Sequence, residues 1–102
     1  RTGRVVISVP VSRDADPDLV QRLMNEAVQE HAKLLRDPAP LVQYKKLGET
    51  VKEFELTGFV AEVDDAGRVS SDLLFAIDRA LRAHGLGEIL SRTVMVNEEK
   101  SK

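Results

Sequence analysis

Along this chain the spacing of apolar residues switches between the two-residue period of a strand and the 3.6-residue period of a helix. The order is strand, helix, strand, strand, helix, strand. That order leaves few folds open, because each helix must return the chain to a common sheet and bury its apolar stripe there. In residues 4–12, Val5, Ile7, Val9 and Val11 share one face, with Arg4, Ser8 and Ser12 on the other. Pro10 has no N–H to donate, so it requires an edge position, a bulge or a gap in pairing. Residues 16–35 carry Leu19, Val20, Leu23, Met24, Ala27, Val28, Leu34 and Leu35 on one helical stripe. Asp16 is placed to cap that helix, Pro17 suits its first turn, and Asp18 favours the positive end of its dipole.

Pro38 and Pro40 stop the helix. Residues 41–47 read as a second strand and 51–62 as a third, with Phe54, Leu56 and Val60 opposed to Glu53, Glu55 and Thr57. The short Gly48-Glu49-Thr50 link predicts an antiparallel hairpin. After a polar turn at 64–67, Val69, Leu73, Ile77, Ala80 and Leu81 predict a helix over 68–84, with Gly85 as its C-terminal cap. Residues 92–96 read as a last short strand, and 97–102 as a disordered polar tail. The predicted fold is α+β, a ferredoxin-like split βαββαβ pattern. It has an antiparallel or mixed sheet of four or five strands and two helices on one face.

Composition limits function more than fold. The 102 residues suit one domain, here residues 1–96. The 15 basic and 17 acidic residues are dispersed, without the basic stripe of a nucleic-acid footprint. There is no cysteine, which removes disulfides and thiolate metal sites. No apolar run approaches the roughly 18 residues of a membrane span, and no signal peptide is visible. The chain opens at Arg1 almost directly in strand sequence, and it reads as a fragment of something longer.

Asp14, Asp16 and Asp18 alternate as in a calcium loop, but Leu19 and Asn25 stand where that loop needs glycine and a bidentate glutamate. Arg13 follows the first strand where a phosphate cradle would lie, yet its loop is acidic and has no glycine. His31 and His84 have no partner at ligand spacing. Ser70, Ser71 and Asp72 have no evident base and read as helix-start residues. No catalytic, cofactor or metal residues are assigned. Lys45, Lys46, Lys52, Glu53 and Glu55 alternate in sign across the hairpin, as a solvated face with cross-strand pairs or as the lining of a water-filled passage.

Two stretches carry a family resemblance. Val9 to Pro40, containing "SRDADPDLVQRLMNEAVQEHAKLLRDPAP", and Val69 to Gly85, "VSSDLLFAIDRALRAHG", resemble the cytoplasmic C-terminal domain of small-conductance mechanosensitive channels. The resemblance covers about residues 5–96. It departs from the family after Gly85, where an aromatic-proline pair is missing. It implies the wall of a hollow cage of seven copies below a pore, on the cytoplasmic side of a bacterial inner membrane. Portals in that wall pass ions and small solutes. Arg92, Thr93, Val94, Met95 and Val96 would be an assembly strand, and Lys45, Lys46, Lys52, Glu53 and Glu55 vestibule or portal charges. The implied partners are further copies of the chain and the upstream part of its own chain, which alone meets the membrane; no nucleic acid and no cofactor is implied. The alternative is a free-standing ferredoxin-like regulatory domain that binds a small ligand. The absence of glycine between Gly3 and Gly48, where such ligands approach the backbone, counts against it.

Overall fold

Gly3–Ser12 forms strand β1, Leu41–Leu47 strand β2 and Val51–Val60 strand β3, in a computed structural model that describes residues 1–86. Strand β3 lies between the other two and is antiparallel to both. The sheet is three-stranded among the described residues; the expected fourth strand, residues 92–96, and the tail lie outside them. Helix α1 spans Pro17–Glu30 and helix α2 spans Ala66–Ala83. The fold is thus α+β, with both helices over one face of an antiparallel sheet.

Alternation sets that face. Val5, Ile7, Val9 and Val11 of β1 are buried, as are Phe54, Leu56 and Val60 of β3. Against them pack Val20, Leu23, Met24, Ala27 and Val28 of α1 and Val69, Leu73, Ile77 and Leu81 of α2. The α2 residues recur every fourth position, a narrow stripe that meets one groove of the sheet. Fully burying one such aliphatic side chain contributes about 1.5–3 kcal/mol before entropy is set against it.

The helix ends follow local chemistry. The Asp16 carboxylate accepts from the Asp18 N–H at 3.0 Å, capping α1. Helix α2 ends in a Schellman turn: Gly85 has φ 74°, its N–H donates to the Arg82 carbonyl at 3.1 Å, and Leu86 N–H donates to the Leu81 carbonyl at 2.7 Å.

Three expectations need correction. Helix α1 stops at Glu30 rather than 35, because His31 turns extended at φ −86° and ψ 117°. Leu34, which continued the helical stripe in sequence, instead bridges Val60, and Leu35 N–H donates to the Phe59 carbonyl at 2.8 Å. Leu34 fits because residue 58 is glycine; a Cβ there would lie 2.9 Å from Leu34 Cδ2. Strand β3 ends at Val60, not 62. The polar turn before α2 is a 3₁₀ turn, Val63–Asp65, that runs directly into a helix starting at Ala66.

Pro10 takes the edge option. Arg13 N–H donates to the Thr50 carbonyl at 3.0 Å, continuing the β1–β3 register. Backbone groups alternate sides along a strand, so odd-numbered residues of β1 bond to β3 and even-numbered ones face the open edge. The proline therefore removes no β1–β3 ladder bond.

Candidate functional site

The sheet has one face under the helices and one face without them, and the second carries the hairpin charges. Cross-strand partners share a face, so Ser8 opposite Glu55 and Pro10 opposite Glu53 place both glutamates on the helix-free side. In β2 the register shifts between Tyr44 and Lys46, leaving Lys45 as the extra residue of a bulge. Lys46 then stands opposite Glu53, and Lys45 Nζ lies 4.0 Å from Glu55 Oε1. The bulge explains how two consecutive lysines serve one surface. In an unbroken strand they would point to opposite faces.

Lys52 is set apart from the other four. It is only 9% exposed, on the helix-covered side, and its ammonium donates to the Ala15 carbonyl. It ties the β1–α1 loop to the hairpin from inside. Arg13 does the same from outside, donating to the Gly48 carbonyl at 2.6 Å. The loop's two nearest cations are thus engaged with main-chain carbonyls, beside Asp14, Asp16 and Asp18. This is no cradle for an anion.

Away from this loop, the fold brings together one pair that sequence spacing does not suggest. His31 Nε2 lies 3.0 Å from Asp72 Oδ2, and Lys33 N–H donates to His31 Nδ1 at 3.2 Å. A neutral His31 that accepts at Nδ1 carries its proton on Nε2 and donates to Asp72. Lys33 Nζ also reaches Asp65 Oδ2 at 3.4 Å. Together these contacts clamp the end of α1 to the start of α2. His84 is placed as a C-terminal residue, its Nδ1 2.9 Å from the Ala80 carbonyl. Ser70 and Ser71 fall in the first half of α2, and among the described residues no triad forms around them. The assembly strand Arg92 to Val96 lies outside the described residues.

The helix-free face also has an apolar end. Val6 is 47% exposed and Leu41 52%, both opposite Thr57 of β3. The face therefore grades from apolar at Val6 and Leu41 to charged at the hairpin. Its four hairpin charges balance, two lysines against two glutamates.

Comparison with known proteins agrees with this fold. The family model described as "Mechanosensitive ion channel MscS, C-terminal" matches residues 4–87. An uncharacterised MscS family protein of Haemophilus influenzae is 31% identical over 83 residues. That match covers 81% of this chain and 8% of the relative, so the chain spans only a small part of that protein. Among solved structures, Helicobacter pylori MscS in its closed state superposes with a TM-score of 0.75 at 19% identity, covering 83% of this chain and 34% of that one. Arabidopsis thaliana MSL1 gives 0.70 at 11% identity, covering 84% and 33%. At these identities the two structures speak to the fold.

Proposed function

The chain belongs to the family of the MscS mechanosensitive channel C-terminal domain, and from that membership we propose that it is a wall of the cytoplasmic vestibule of a membrane channel, with no chemistry of its own. The observation that carries this reading is the two-sided sheet. One face is sealed by both helices, and the other presents paired charges on a rigid frame. Such a face suits contact with a water-filled space that ions cross.

In this reading seven copies surround the vestibule, joined to membrane-spanning segments upstream, in a bacterial inner membrane. Lys45, Lys46, Glu53 and Glu55 border the vestibule or its portals. Lys52 holds the frame from within. Arg92 to Val96 form the assembly segment and complete the ferredoxin-like pattern as a fourth strand, ahead of a polar tail. The four hairpin charges cancel within each copy, so these residues give the wall no strong preference for ions of either sign.

Charge reversal tests this. Replacing Lys45 and Lys46 by glutamate takes the sum of the four hairpin charges from 0 to −4 in every copy. In the full-length channel the reversal potential under a salt gradient should move toward cation preference. The shift should grow at low ionic strength, because the Debye length lengthens from about 8 Å at physiological salt to about 30 Å at 0.01 M. An unchanged reversal potential at low salt would remove these residues from the ion path.

A further inference from the structure

Helix α1 ends on a histidine that holds two partners at once. The ring of His31 is only 16% exposed, so it keeps its place between the helices. Its Nδ1 accepts from the Lys33 N–H at 3.2 Å, and its Nε2 lies 3.0 Å from Asp72 Oδ2 of α2. The first contact closes the turn by which the chain leaves the helix. Just beyond it, Leu34 bridges Val60 and Leu35 N–H donates to the Phe59 carbonyl. Residues 31–35 thus form a strap from the end of α1 to the central strand of the sheet.

The two contacts of His31 respond in opposite ways to a proton. The neutral ring carries its hydrogen on Nε2, toward Asp72, and offers the Nδ1 lone pair to Lys33. A proton taken from water at Nδ1 sets one N–H against another, and the bond to Lys33 is lost. At Nε2 the N–H then belongs to a cation and faces a carboxylate, which strengthens that contact. We propose that His31 is a proton-operated latch: acidification frees the Lys33 N–H and slackens the strap while α1 stays tied to α2.

The charged groups around the ring are already engaged or lie to one side. From α2 and the turn before it come Asp72, which meets the ring, Asp65, paired with Lys33 Nζ at 3.4 Å, and Arg68, one turn before Asp72. On its own segment, Glu30 precedes it and Arg36 donates to the Gln29 carbonyl at 3.1 Å. The strap meets the sheet at Val60 and the Phe59 carbonyl, which do not titrate. Of these residue types only histidine ordinarily changes charge between pH 5 and 8. The inference concerns the fold alone and does not rest on the channel reading.

Nuclear magnetic resonance of the 102-residue chain at about pH 8 and pH 5 tests the latch. At the higher pH, ring nitrogen shifts should report the hydrogen of His31 on Nε2. The Lys33 amide should then exchange at least about tenfold slower than an unstructured amide at the same pH. As His31 gains its proton, that protection should disappear, while the Val5 and Ile7 amides, which bond to β3, remain protected. His31→Asn places a carbonyl oxygen as many bonds from the backbone as Nδ1, so it should protect Lys33 at both pH values. His31→Gln extends toward Asp72 instead and should leave Lys33 unprotected at both. Four results overturn the latch: free exchange at Lys33 while His31 is neutral, protection unchanged by its protonation, a loss that also occurs in His31→Asn, or a loss only together with the Val5 and Ile7 amides.

Discussion

Lys45 and Lys52 belong to the same hairpin and live in opposite environments. Lys45 is solvated and paired loosely across the strand, a contact worth at most about 1 kcal/mol. Lys52 is buried, with its ammonium on the Ala15 carbonyl. Burying the cation is costly, but removing it orphans a carbonyl and empties the volume of its stem. Lys52→Ala should therefore lose about 1–3 kcal/mol in urea unfolding, with Lys52→Met recovering part through its stem. Lys45→Ala should stay within about 0.5 kcal/mol. Equal effects at the two sites would contradict the assignment of one lysine to the frame and the other to the surface. The glycines divide in the same way. Gly85 sits at positive φ in the Schellman turn, whereas a Cβ on Gly67 in α2 would meet nothing within 4 Å. Gly85→Ala should cost about 1 kcal/mol. Gly67→Ala should be neutral or stabilising by up to about 1 kcal/mol, since alanine suits a helix better. Thermal denaturation of the two variants reads the contrast directly.

Among the elements, α2 has two apolar registers. Leu73 is fully buried against the sheet, while Phe75 points outward. Leu73→Ala should cost about 2–5 kcal/mol and Phe75→Ala less than about 1 kcal/mol, measured by denaturant midpoint. A large loss at Phe75 would mean that the described packing is wrong. The buried stripe was legible because its period is local, and so were the strand faces of β1 and β3 and the caps at Asp16 and Gly85. The features that were not legible depend on residues far apart in sequence. Leu34 fits a helical stripe, and only the space above Gly58 draws it to the sheet. His31 meets Asp72 across the two helices, and no sequence spacing encodes that contact. The bulge at Lys45 sits in a polar run, where hydrophobic phase gives no signal. Lys52 reads as a surface charge because a lysine is rarely interior; the loop carbonyl that receives it appears only in the fold.

At the scale of the whole molecule, the described domain has one face of its sheet covered by helices and one face without them. Both helices complete the core on one face of the sheet, and the other face carries the hairpin charges. In our reading, these features belong to a component of a larger body. The family match over residues 4–87 makes that body a channel of the MscS kind in our reading. The most direct test is patch-clamp recording of the full-length protein under stepped membrane tension, with residues 1–102 present and deleted. Tension-gated current whose conductance, selectivity or inactivation changes on deletion is the predicted result. The absence of tension-gated current from the intact protein, with membrane insertion verified, would contradict the channel assignment.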